Sequence, residues 1–184
     1  MIILFGNVGS GKGTQATLLA KRLNCRTLSS GEILREHMNR KDVQGAIAKG
    51  ELVKDDILLP LIEARIRKVD VAKNELILDG FPRNTNQAKW IVNKAKNNEL
   101  NITAVIHLNI SEAAVRQRLL NRKRQDDSEA VINQRFLDYE QNVLPAIGYL
   151  KNAGFQIDVI NGDQPVEIVA QQIWKALKAK NASR

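Results

Sequence analysis

A three-layer α/β fold, with a five-stranded parallel sheet covered by helices on both faces, is predicted by three features of this 184-residue sequence. Short apolar runs alternate with longer amphipathic stretches, the pattern of strand–helix–strand units. The apolar runs suit burial on both sides, as parallel strands between helical layers require. No internal repeat, low-complexity tract or linker interrupts the chain, and its length fits one domain spanning residues 1–184.

The first strand is expected at "IILF" (2–5), followed by a glycine-rich turn and a helix over 12–23. "RTLS" (26–29) is the second strand and leads into a helix over 30–40. A helix over 55–69 precedes the third strand, "LILD" (76–79), and another spans 84–97. The fourth strand is "AVIHLNI" (104–110), with helices over 111–123 and 128–151 after it. "FQIDVI" (155–160) closes the sheet, and a last helix runs over 165–180. In that helix Val166, Val169, Ile173 and Leu177 recur at helical spacing and should face the sheet. Ligands of such sheets bind beyond the carboxyl ends of the strands, which is where functional residues are to be sought.

The net charge of +8 calls for acidic partners, such as nucleotides, nucleic acid or an anionic surface. Aromatic residues are only 4% of the chain, so base-stacking platforms are scarce, which counts against a single-strand binder. No apolar run approaches the roughly 20 residues that span a bilayer. "MIILFGN" lacks a basic start and turns polar too early for a secretory signal. The one cysteine, Cys25, can form neither an internal disulfide nor a cysteine zinc site, so a reduced, cytoplasmic setting is expected.

The first strand enters "GNVGSGKGT", and "QATLLAKRL" follows as helix. Gly6-x-x-x-x-Gly11-Lys12 in the context strand, loop, helix is a phosphate-binding loop, which makes the predicted class a P-loop three-layer fold. Its glycines let backbone N–H groups turn toward an anion, and the helix N-terminus adds partial positive charge. Gly9, Ser10, Gly11, Lys12, Gly13 and Thr14 form the expected cradle for the phosphates of a nucleotide. Lys12 meets the β- and γ-phosphates, and Thr14 offers a hydroxyl near Mg2+. The strict pattern has Ser or Thr directly after the lysine; here Gly13 intervenes.

Gly11-Lys12-Gly13-Thr14-Gln15 resembles the loop of the adenylate kinase and nucleoside monophosphate kinase family, although that family usually carries proline at the position of Val8. Three further segments extend the resemblance. "SSGEILRE" (29–36) is similar to the acceptor-nucleotide helix, implying Ser30 and Gly31 near the acceptor ribose and base and Arg35 on its phosphate. Ser30 also fits a plain helix cap. "GELV" from Gly50 resembles the segment that sets Leu52 and Val53 against the acceptor base, and equally fits a turn before an amphipathic helix.

"ILDGFPRNTNQA" (77–88) is more specific. The strand ends in Asp79, suited to hold the hydration shell of Mg2+, and Arg83 can fork onto phosphate oxygens. The resemblance places Gly80 and Arg83 in the AMP site and assigns Gln87 to reading the acceptor base. Glutamine there resembles adenylate kinases, whereas Asn84 after Arg83 looks like the uridylate and cytidylate kinases. The hydroxyl of Ser30 keeps the adenylate reading ahead.

Arg118 and Arg122, four residues apart, share one helix face, and Arg124 and Arg135 bracket "QDDSEAVINQ". The set resembles the family's phosphate clamp. It implies Arg118 on the donor-base side, Arg122 on the ATP phosphates, and Arg124 and Arg135 on the AMP side, with Lys12, Arg83, Arg122, Arg124 and Arg135 catalytic. Asp126 and Asp127 match the family's paired lid aspartates; Asp126 with Glu129 also fits a capping box. Relatives carry a lid between the second and third arginines, whereas this chain has only Lys123 there. The expected organisation is therefore an acceptor-binding segment at about 29–58 and a vestigial lid at about 122–126. Relaxed donor-base specificity would follow, since a lid packs over the donor base and excludes water.

"VINGDQPVEI" resembles the late donor segment and adds Gln164 to the ATP site. His37 and His107 show no metal spacing and are read as structural, so no zinc site is expected. The reaction expected is Mg2+-dependent phosphoryl transfer from ATP to AMP giving two ADP, with a UMP/CMP-type kinase next. Such transfer to an ionised phosphate needs no general base. A GTPase lacks its Asn-Lys-x-Asp guanine reader here, and a basic nucleic-acid-binding module leaves "DGFPR" unexplained. Nucleotides are the expected partners, with no nucleic acid and no membrane; monomer and homo-oligomer stay open.

Overall fold

The computed structural model describes residues 1–71, 73–122 and 128–182, without the side chains of residues 120–122 and 181–182. In chain order its elements are β1 (Ile2–Gly6), α1 (Lys12–Leu23), β2 (Arg26–Ser29), α2 (Ser30–Glu36), α3 (Lys41–Lys49) and α4 (Asp55–Ile66). There follow β3 (Leu76–Asp79), α5 (Thr85–Lys96), β4 (Ala104–Asn109), α6 (Glu112–Arg122) and α7 (Glu129–Asp138). A π-helical turn (Tyr139–Val143) joins α7 to α8 (Leu144–Asn152), and β5 (Ile157–Asn161) and α9 (Val166–Ala182) complete the chain.

The five strands form one parallel sheet, as the sequence predicts, and the structure sets their order as β2-β3-β1-β4-β5. β1 is central because its residues are apolar on both faces. Ile3 and Phe5 pack into one core with Leu78, Ile62, Ile91 and Leu150, under α4, α5 and α8. Ile2 and Leu4 pack into the other with Ala16, Leu19, Val169 and Ile173, under α1 and α9. A smaller cluster of Val115, Leu119 and Ile132 joins α6 to α7 beside the glycine loop.

Four local readings are corrected. The helix expected over 30–40 stops at Glu36, where the His37 ring meets the Ile33 carbonyl, and a separate α3 follows. The helix expected over 128–151 is interrupted by the π turn just before Pro145. Proline has no N–H to give to the preceding turn and its ring crowds that carbonyl, which widens the helix there. β5 begins at Ile157 rather than Phe155. Val169, Ile173 and Leu177 face the core as expected, but Val166 is 42% exposed because it starts α9 at the cleft edge.

Candidate active site

A cleft of about 800 Å3 opens at the carboxyl ends of the strands. The glycine loop forms one wall. Gly6 must be glycine: its φ is +153°, and a Cβ there would sit 2.6 Å from Ser10 Oγ and 2.9 Å from the Leu108 carbonyl. Lys12 curls back over the loop, donating to the carbonyls of Gly6 and Asn7, both at 2.7 Å. Its ammonium is thereby fixed over the glycine loop at the start of α1. Arg118 crosses from α6, donating to the Gly162 carbonyl at 2.9 Å and lying 3.5 Å from the Ser10 carbonyl. It ties the loop to the segment carrying Gln164, which also lines the cleft.

The opposite wall comes from α2, the turn after α3, the β3–α5 turn with the start of α5, and α7. Gly31, Arg35, Leu52, Val53, Gly80, Arg83, Gln87 and Arg135 all line it. Gly80 has a φ of +71°, and a Cβ would lie 3.1 Å from Ser30 Oγ and 3.3 Å from the Arg83 guanidinium. This tight turn aims Arg83 inward, with its Nε donating to the Gly80 carbonyl at 3.0 Å. Burial lowers the Arg83 pKa; Asp79 opposes that, Arg135 adds to it, Asp138 opposes it, and Arg35 adds to it. Partly buried cations held this close favour an anion between them.

Ser30 is placed differently from the cap reading. Ser29 caps α2, its hydroxyl accepting from Glu32 N–H, whereas Ser30 is wholly buried and donates to the Gly80 carbonyl at 2.5 Å. Ser29, not Ser30, lines the cleft. Asn84 is the N-cap of α5, accepting from Gln87 N–H at 2.9 Å. The side chain of Arg122 and all of Lys123, Arg124, Asp126 and Asp127 lie outside the described residues. So does the segment read as a vestigial lid, apart from the backbone of Arg122.

Sequence reasoning missed several cleft residues: Asn7, Gln15, Glu51, Asp138 and Tyr139. Gln15 is 3% exposed and donates to the Val166 carbonyl at 3.0 Å, its Oε1 unpartnered among the described residues. The Tyr139 hydroxyl meets His107 Nε2 at 2.5 Å, joining the π turn to β4. Burial pushes Tyr139 up to about 12, and burial followed by Lys12 lowers His107. His107 is structural as read, but neither strand nor helix periodicity reveals its pairing with Tyr139, because the two meet only in the folded chain.

A central strand ending in a phosphate loop, facing convergent arginines across one cleft, defines a P-loop phosphotransferase that handles nucleotides. A model of the adenylate kinase family matches residues 4–155. "Adenylate kinase 1" of Synechocystis sp. is 38% identical over 182 residues, covering 96% of each chain. "Adenylate kinase" of Prochlorococcus marinus (strain NATL2A) is 34% identical over 181 residues, covering 96% of this chain and 97% of its own. "Adenylate kinase" of Petrotoga mobilis is 30% identical over 216 aligned residues, covering 98% of each chain. The chain belongs to the adenylate kinase family. The Petrotoga alignment is longer than this chain's 184 residues, so that relative contains segments this chain lacks.

Among the described residues, no helix is long and apolar enough to cross a membrane. No group of three or more His, Cys, Asp or Glu gathers there for a metal.

Proposed function

We propose that the protein catalyses reversible transfer of the terminal phosphoryl group of ATP to AMP, giving two ADP. The observation that carries this is the meeting of two anion sites in one cleft, the loop of Lys12 and the trio Arg35, Arg83 and Arg135. The donor would lie on Gly9–Thr14, with Arg118 and Gln164 on its base side. The acceptor would lie in the segment 29–58 and the β3–α5 turn, against Gly31, Leu52, Val53, Gly80 and Gln87. The transferring group carries charge on its equatorial oxygens, so positioning and cationic neutralisation supply most of the catalysis. Lys12 holds the donor side and Arg83 and Arg135 the acceptor side of that charge. Arg122 and Arg124 complete the clamp in this reading.

Mg2+ fits this donor set. Asp79 Oδ1 is buried with no hydrogen-bond partner among the described residues, and its other oxygen would be 3.6 Å from a Cβ at Gly13, next to Thr14. A hydrated divalent ion there would supply charge neutralisation to the phosphates. Asp79 and Thr14 would hold it through water. The setting proposed is the cytoplasm, where nucleotides and Mg2+ are available.

With only Lys123 between Arg122 and Arg124, donor-base discrimination is relaxed and some ATP is hydrolysed without acceptor. Strict ATP preference with negligible hydrolysis would refute this part. The whole reading is tested by coupled turnover with MgATP against AMP, UMP, CMP, GMP and IMP. AMP is expected to be the preferred acceptor; transfer to none of the five refutes the reading.

A further inference from the structure

We infer that Asp55, a residue with no place in the phosphate chemistry, sets the acceptor-base specificity by locking the side-chain amide of Gln87 in one orientation. This rests on the proposed function and deepens it. Gln87 is 1% exposed, yet it lines the acceptor wall of the cleft. Its Oε1 accepts from the Arg83 backbone N–H at 2.7 Å. Its Nε2 donates to Asp55 Oδ1 at 2.7 Å. The same Asp55 oxygen accepts from Asn84 Nδ2 at 2.9 Å, and Asn84 Oδ1 accepts from Gln87 N–H at 2.9 Å.

The chain of bonds has backbone N–H groups at both ends, which can only donate. The atom of Gln87 facing Arg83 N–H must therefore be its oxygen, and the atom of Asn84 facing Gln87 N–H must be its oxygen too. Both amide NH2 groups are then turned to Asp55, whose carboxylate can only accept. Reversing Gln87 would set NH2 against N–H at one side and oxygen against carboxylate at the other. Two unsatisfied buried pairs oppose that reversal.

An amide has two N–H groups and two oxygen lone pairs, so one of each remains after these bonds. Side by side they complement adenine, whose N1 accepts and whose 6-amino group donates. A 6-oxopurine presents the reverse, a donating N1–H and an accepting O6, and would need the amide turned over. Asp55 thus keeps Gln87 in the adenine-reading state and rejects IMP and GMP through the cost of flipping it. A site with fixed polar partners discriminates strongly for this reason.

The test measures kcat/KM for AMP and for IMP, with saturating MgATP, in wild type, Asp55→Ala and Asp55→Asn. Alanine removes the acceptor that both amide NH2 groups share and leaves Gln87 opposed in reversal only by the Arg83 N–H, so the AMP-over-IMP ratio falls about tenfold or more, through a higher KM for AMP and a gain for IMP. Asparagine can still accept from both amides through Oδ1, so it keeps most of the ratio. An unchanged ratio in Asp55→Ala, an equal loss with both acceptors, or an equal fall in Asp55→Asn overturns the inference. If the wild type transfers to neither acceptor, the function reading itself fails; if it prefers AMP and the ratio survives Asp55→Ala, only this inference does.

Discussion

Arg83→Ala removes the guanidinium at the centre of the acceptor wall. Arg83 has five N–H donors and spends one, Nε, on the Gly80 carbonyl. Four remain to face the phosphates. Loss of two charge-assisted hydrogen bonds at about 1.5 to 3 kcal/mol each weakens the transition state by about 3 to 6 kcal/mol. At about 1.4 kcal/mol per tenfold, transfer falls by about a hundredfold to ten-thousandfold. Arg83→Lys keeps a point charge but cannot hold the Gly80 carbonyl and a forked phosphate contact together, so it falls between. Stability behaves differently. Burial, Arg135 and Arg35 oppose the Arg83 charge while Asp79 and Asp138 favour it, so truncation removes strain along with attraction. The melting temperature should not drop by more than about 3 °C. Steady-state coupled turnover and thermal unfolding by circular dichroism measure both. Activity of Arg83→Ala within tenfold of wild type refutes the phosphate role. A large fall in melting temperature makes Arg83 a structural residue instead.

Lys12→Ala should cut transfer by about a thousandfold or more with the fold intact, since it removes the one full charge in the loop; turnover near wild type contradicts its role. Gly6→Ala drives a Cβ into Ser10 Oγ and the Leu108 carbonyl, and should cost about 2 to 4 kcal/mol in urea unfolding as well as nucleotide binding. Unchanged stability would show that the loop tolerates another path. His107 titrates below its ordinary value when folded, by burial and then Lys12. Its contribution is complete above the unfolded value of about 6.5 and is lost as pH falls through the lower folded value. Urea unfolding from pH 7.5 to 5.5 should therefore show a steeper fall for wild type than for His107→Asn; identical slopes refute it.

The sheet was legible because each strand is a short apolar run, and the loop because strand, glycines, lysine and helix adjoin in sequence. α3 was not, since "KDVQGAIAK" is polar and buries only Val43 fully. Adjacent Ser29 and Ser30 are indistinguishable as caps until Ser30 finds the Gly80 carbonyl, 50 residues away. Arg35, Arg83 and Gln87 could be placed by resemblance to motifs. Asp55 could not, because its function is the bonds it accepts from Asn84 and Gln87 on another helix. Tertiary partners of polar side chains carry no local periodicity, and that is where the reading of residues stopped.

The most direct measurement follows ADP alone with Mg2+ by 31P NMR in the presence of the protein. The account predicts that ADP resonances decay as those of ATP and AMP grow in equal amounts. ADP that persists, or that yields inorganic phosphate without ATP, contradicts it.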